Sequence, residues 1–188
     1  MTAAAASARV RLTAAVHERL ADSPAIAAMV AAGDAMKHAL AAGKTILVFG
    51  NGGSAADAQH FAAELVVRYE RERAARSAIA LTTDASILTA AGNDRGFDEV
   101  FARQIDALGR QGDVALAITT SGESPNVARA IAAAQARGLV TVALTGRDGG
   151  RVGKLAKVHV NVPEERTALV QEAHRTILHV WCELIDEE

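Results

Sequence analysis

From Thr45 onward, short apolar runs alternate with helical patterns along the chain. Strand-like runs lie at 45–49, 77–81, 113–119, 139–144 and 157–162. Helical spacing is predicted from Ser54 to about Tyr69, over 85–91, over 98–108, from Ser124 to Arg137, in a short piece ending near Leu155, and from Thr167 to Ile185. Between them, Glu70-Arg71-Glu72-Arg73 reads as a solvated turn and Gly92-Asn93-Asp94-Arg95-Gly96 as a loop. The run Val114-Ala115-Leu116-Ala117-Ile118 is almost continuously apolar, as expected of a strand covered on both faces. Helical crossovers between such strands imply a parallel sheet with helices on both sides, an α/β fold. Ligands of such sheets bind outside the C-terminal strand ends, where three Gly-rich turns fall here.

Two helices precede this alternation. Val10, Leu12, Val16 and Leu20 are spaced as one face of the first. Asp22-Ser23-Pro24 breaks the pattern and restarts it, and the second helix turns Ile26, Met29, Val30 and Met36 inward before Gly43 ends it. The expected organisation is one domain over 1–188, with the helical pair at 1–43 and an α/β core with its C-terminal helix at 44–188. Apolar surface on the pair can be covered by the chain's own core or by another subunit.

At 188 residues with a net charge of −2, the chain is large enough for one substantial core and has no basic field for nucleic acid. The single cysteine, Cys182, excludes an intrachain disulfide and a Cys-rich zinc site. No apolar run suits a signal peptide or a membrane span, so a cytoplasmic protein is expected. Cys182 and Trp181 read as packing.

The richest stretch is Gly50-Asn51-Gly52-Gly53-Ser54, which stops the first strand and opens a helix. Glycines let bare N–H groups approach a ligand, and the helix N-terminus favours an anion, most often a phosphate. Ser54 is the predicted cap, with Asp57 three residues on as in a capping box. The turn also fits G-x-G-x-x-A, with Asp84 past the second strand, so a dinucleotide site is the rival reading. Against that rival stands Thr119-Thr120-Ser121-Gly122-Glu123-Ser124, whose hydroxyls suit a terminal phosphate as well as ordinary capping.

His60 and Glu64 lie four apart and share a helix face. That spacing alone equally describes a surface pair. The C-terminal helix adds Gln171, Glu172, His174 and His179 to an otherwise apolar stretch. Gln171 and His179 are about 12 Å apart along the axis, so they meet at one centre only by leaning together or with help from another chain. His174 fits a polar core or interface position.

Together these motifs resemble the sugar isomerase (SIS) domain proteins, and within them the bacterial phosphoheptose isomerases, over nearly the whole chain. The carriers are Gly50 to Glu64 with Gln59-His60-Phe61, Gly92-Asn93-Asp94 with Gly96-Phe97, Thr120-Ser121-Gly122 with Ser124, Leu144-Thr145-Gly146 with Gly149-Gly150, and Gln171-Glu172 with His174 and His179. The resemblance implies a three-layer αβα sandwich on a five-stranded parallel sheet of flavodoxin-like type, a homotetramer, and active sites at subunit contacts. It implies one zinc per subunit held by His60, Glu64, Gln171 and His179, a donor set chemically suited to a catalytic zinc.

It further implies that a small phosphosugar, sedoheptulose 7-phosphate, becomes D-glycero-D-manno-heptose 7-phosphate through an enediol. Glu64 would abstract the carbon-bound proton and His179 would serve the oxygens. Thr119, Thr120, Ser121 and Ser124 would hold the phosphate. Asn51, Gly52, Gly53, Asn93, Asp94, Glu64 and Gln171 would hold the sugar. Arg68 is either a phosphate contact for a neighbouring subunit or a plain surface residue. Three positions depart from the family pattern: Glu123 for asparagine, which sets a carboxylate beside the cradle, Leu169 for arginine, and Thr119 for serine. A non-catalytic relative of the replication-initiator-associating kind is the alternative. It lacks the acid at the Glu64 position and the histidine at the His179 position. A sugar-phosphate-sensing domain would need a DNA-binding module for which there is no room.

Overall fold

In the computed structural model, which describes residues 1–187, five parallel strands stand in the order β2-β1-β3-β4-β5. They are β1 (Ile46–Gly50), β2 (Ala78–Ala80), β3 (Val114–Thr119), β4 (Val140–Gly146) and β5 (Val158–Val162). The helices are α1 (Ala3–Ala21), α2 (Ala25–Ala41), α3 (Gly53–Val66), α4 (Ala85–Arg95), α5 (Ala102–Leu108), α6 (Pro125–Ala136), α7 (Gly150–Leu155) and α8 (Thr167–Asp186). The expected three-layer α/β architecture is present. Strand order reverses at β1 and β3, and that switch point opens a crevice at their C-terminal ends.

The two-residue period of the strands sorts the core into two layers. Ile46, Val48, Leu116, Ile118, Leu144 and Val160 face α2, α3 and α8. Leu47, Phe49, Ala115, Ala117 and Ala143 face α5, α6 and α7. The N-terminal pair packs on the chain's own core. Met29 and Met36 of α2 belong to the first layer, and α1 closes over it with Val16 and Leu20. Ile26 and Val30, expected inward, are exposed, and so are Val10 and Leu12 on the apolar face of α1. Among the described residues no helix is long and apolar enough to cross a membrane.

Several boundaries move for physical reasons. The segment expected as a loop at Gly92–Gly96 is the last turn of α4, which Asp84 starts by accepting a hydrogen bond from the Ile87 N–H. The helix expected over 98–108 is a 3₁₀ turn at Phe97–Glu99 followed by α5. Helix α3 ends at Val66 rather than near Tyr69. Arg73, expected in a solvated turn, is held instead. It donates to the Glu64 and Leu65 carbonyls at the end of α3 and pairs with Asp186 at the end of α8 at 2.7 Å. The rest of that turn, Glu70 to Glu72, is exposed.

His174 is fully buried on α8, and its Nε2 meets the Thr145 carbonyl of β4 at 3.0 Å. Burial pulls its pKa down to about 4, against a smaller opposing effect of that hydrogen bond. The unfolded chain therefore binds a proton that the folded chain refuses. The stability this contributes is complete above about pH 6.5 and is lost as pH falls toward 4. In the variant His174→Gln, which keeps an amide donor, stability is expected to depend less on pH in that window, by up to about 3 kcal/mol across it. Urea unfolding at pH 7, 5.5 and 4.5 checks this, and parallel pH curves for the two proteins would refute it.

Candidate active site

The crevice between β1 and β3 is lined by the turns expected to hold a phosphate. Asn51, Gly52, Gly53, Ser54, Thr119, Thr120, Ser121, Ser124, Thr167 and Gln171 enclose a hollow of about 270 Å³. Gly52 has φ 56° and ψ −120°, a conformation open to glycine, and it rather than Ser54 is the N-cap of α3. Ser54 lies buried inside the first turn. No capping box forms, because Asp57 is engaged elsewhere. On the other side, Ser124 caps α6 through the chain's turn and not through its side chain. Its Oγ lies 3.3 Å from the Thr119 hydroxyl.

Two features of the cradle were not readable as motifs. Asn51 and Asn126 exchange two amide hydrogen bonds of 2.9 Å, which lock the β1 turn to the start of α6. The Asn51 amide is thus occupied, and Asn126 is 2 % exposed. Glu123 points away from the crevice. Its carboxylate accepts from the Arg151 N–H at the start of α7, and the Arg151 guanidinium bonds the Glu123 carbonyl. The negative charge that its position threatened is spent on a helix N-terminus. Leu169, near the start of α8, is buried in the core.

Beside the cradle, α3 and α8 run side by side in the same direction and touch at a series of paired positions. Gln171 leans on Gly53 so closely that a Cβ there would overlap its amide nitrogen. One turn on, Asp57 accepts two hydrogen bonds from Arg175, Nε at 2.9 Å and Nη2 at 2.6 Å. Beyond that, the Nε2 atoms of His60 and His179 face each other at 2.8 Å, and Glu64 lies 3.4 Å from the other nitrogen of His60. Gly53, Asp57, Gln171 and Arg175, with Ala56, Thr13, His17 and Thr176, line a larger hollow of about 590 Å³.

Burial lowers the His60 pKa, and the Arg175 charge lowers it further, against the pull of Glu64. The neutral ring is therefore favoured near neutral pH. Burial also raises the Cys182 thiol to about 12, so that residue is packing and not a nucleophile. Trp181 likewise packs, donating to the Met29 carbonyl.

The sequence-derived site residues are thus brought together in two groups and not in one. Asn51, Gly52, Gly53, Thr119, Thr120, Ser121, Ser124 and Gln171 form the cradle, while His60, Glu64 and His179 form the far cluster. Gln171 stays at the cradle end. Among the described residues, no three His, Cys, Asp or Glu side chains converge as a ready metal site. Asn93 and Asp94 bond each other on exposed α4. Asp94 borders a separate hollow with Arg95 and Arg103. Arg68 is exposed and pairs with Glu72 at 3.1 Å. Arg175, Asn126 and Arg73 had no motif to reveal them, and Asp57 was read as a capping-box residue where it instead holds Arg175. Asp57 and Arg175 do repeat the helical spacing of His60 and His179, which is the signal that was available.

Comparison with known proteins agrees with this architecture. A profile of the SIS domain matches residues 11–146. A phosphoheptose isomerase of Halorhodospira halophila is 54% identical over 161 residues, covering 84% of this chain and 81% of that one. Another, of Bordetella avium, is 57% identical over 151 residues, covering 79% and 77%. The solved phosphoheptose isomerase of Neisseria gonorrhoeae superimposes with a TM-score of 0.91 at 44% identity, covering 96% of both chains. That of Francisella tularensis superimposes with a TM-score of 0.92 at 37% identity over the whole of both. The chain belongs to the SIS-domain family and, within it, to the phosphoheptose isomerases, a family of enzymes.

Proposed function

We propose that this chain is a cytoplasmic aldose–ketose isomerase of heptose biosynthesis, converting sedoheptulose 7-phosphate to D-glycero-D-manno-heptose 7-phosphate through an enediol. The observation that carries the reading is the pairing of a hydroxyl-lined anion cradle with a carboxylate and two imidazoles that lie about two turns further along the same helices, α3 and α8. A phosphosugar offers a phosphate at one end of its chain and the reacting carbons at the other.

Thr119, Thr120, Ser121 and Ser124 hold the phosphate, assisted by the positive end of α6. Gly52 and Gly53 let the sugar lie against bare backbone. Glu64 removes a proton from C1 of the ketose and returns it to C2. His179 moves the compensating proton between the two oxygens, giving one up as O2 gains it and recovering it as O1 loses it. Asn93 and Asp94 line neither the cradle nor the larger hollow of their own chain, and Val10, Leu12 and Phe97 expose apolar surface. Both facts support a homotetramer in which a neighbouring subunit completes each site.

The donor types of His60, Glu64, Gln171 and His179 fit zinc, and the facing Nε2 atoms of the two histidines are the feature in its favour. Zinc held there would polarise the sugar's carbonyl oxygen. Glu64, beside the Nδ1 of His60 rather than the facing Nε2 atoms, and Gln171, at the cradle end, belong to the set by their donor chemistry.

Turnover of sedoheptulose 7-phosphate by the wild type, by chelated and zinc-restored protein, and by Glu64→Gln tests the reading. Glu64→Gln is expected to lose about a hundred-fold or more in kcat, and chelation to abolish turnover until zinc returns. An unchanged rate in Glu64→Gln would remove Glu64 from the chemistry. A second variant, Gly53→Ala, should displace the flexible Gln171 amide at little cost in stability. Its kcat/KM is expected to fall about ten-fold or more because the cradle's Gln171 is displaced, with Tm within a few degrees of wild type. Unchanged kinetics would show that Gln171 has no part in the site.

A further inference from the structure

The cradle hollow and the larger hollow lie on either side of the contact between Gly53 and Gln171, which line both. The order along this face is fixed by paired residues of α3 and α8: Gly53 with Gln171, Asp57 with Arg175, His60 with His179. On α8 these positions are four residues apart, so Arg175 lies about 6 Å along the axis from each neighbour. It therefore stands midway between the phosphate end and the reacting end.

Arg175 is bound in a way that leaves it half available. Nε and Nη2 both go to Asp57 Oδ1, whose side chain is 5 % exposed, while the Arg175 side chain is 43 % exposed and borders the hollow. A carboxylate clamp of this kind fixes a guanidinium's plane and loses less entropy when its remaining donors bind something else. Three donors remain, two on Nη1 and one on Nη2, and the Nη1 pair is the one wholly unused by Asp57. The neighbouring walls are uncharged or already paired: Thr13 and Glu172 bond each other, and Glu172 also pairs with Arg9.

We propose that Arg175, oriented by Asp57, is a specificity-determining residue that donates from Nη1 to the middle hydroxyls of the open-chain sugar phosphate. The proposal rests on the isomerase reading for its substrate. It assigns the selection of an extended polyol chain to one side chain that neither holds the phosphate nor touches the reacting carbons. Because the contact is the same in the ground and transition states, its loss raises KM and leaves kcat nearly unchanged.

The test compares wild type with Arg175→Met, Arg175→Lys and the double variant Arg175→Met/Asp57→Asn, which leaves no unpaired carboxylate. Steady-state kinetics with sedoheptulose 7-phosphate are read together with inhibition by inorganic phosphate, which reports the cradle alone. Calorimetric binding of both compounds completes the set. Expected are a rise in KM of about ten-fold in Arg175→Met and in the double variant, a kcat within about three-fold of wild type, and an unchanged inhibition constant for phosphate. Arg175→Lys should recover only part of the loss, because an ammonium cannot keep the clamp and a free donor together. An unchanged KM, or kcat and Tm falling together without a change in KM, would overturn the proposal and leave Arg175 as a brace between helices. Should the wild type bind the sugar phosphate no better than inorganic phosphate, the proposal also fails. Tight binding without turnover, weakened in Arg175→Met, would sustain it while the isomerase reading fell.

Discussion

The contact between α3 and α8 is the constraint on which the rest of the site depends. Each helix alone carries scattered polar residues on an apolar body. Side by side they make a ladder: Gly53 against Gln171, Asp57 against Arg175, His60 against His179, and Arg73 tying the end of one to Asp186 of the other. Beneath it the ladder has an apolar footing. Phe61 and Trp181 meet edge to face with ring centroids 6.3 Å apart, both fully buried. Burial of one such ring contributes about 2–3 kcal/mol, more than a half-exposed ion pair does. The packing therefore sets the register, and the polar rungs take their partners from it. A shift of α8 by one residue would turn Arg175 and His179 about 100° away from α3.

The second organising element is the switch point between β1 and β3. Parallel strands deliver two turns to one crevice, and helix N-termini follow both. Such a place attracts anions but also leaves backbone donors exposed, so it needs internal ties. The Asn51–Asn126 amide pair is one such tie, joining the two turns without contributing charge. Glu123 shows the same economy. Beside the cradle its carboxylate would oppose an anion, but the start of α7 and Arg151 draw it outward. A departure that looks costly in sequence becomes a helix cap in space.

Much of this was legible in one dimension because strands and crossover helices differ in period. The alternation after Thr45, the glycines that end β1 and the hydroxyls after β3 are local signals, and the parallel sheet and its ligand crevice follow from them. The pair His60 and Glu64 was legible for the same reason, being one turn apart on one helix. What was missed is non-local. Arg73 looks like its charged neighbours, and only the end of α8, more than a hundred residues away, distinguishes it. Asp57 reads as a capping residue until Arg175 claims it. Val10 and Leu12 have core spacing, yet α1 lies on the rim of the layer and turns them outward. Hydrophobic periodicity reports which face is apolar and not whether this chain alone covers it.

The far cluster has a proton arrangement of its own. Two Nε2 atoms 2.8 Å apart share at most one proton between them. Glu64 stands by the Nδ1 of His60, and a carboxylate there favours the proton on that nitrogen. Burial and the Arg175 charge oppose a second proton on the ring. His60 is thereby biased to the neutral tautomer with its Nε2 lone pair turned toward His179. That bias serves either a proton passed through His179 or a cation taken between the rings, since both require an unprotonated nitrogen at that point. The same carboxylate that the proposed chemistry needs as a base thus also sets the state of the imidazole beside it.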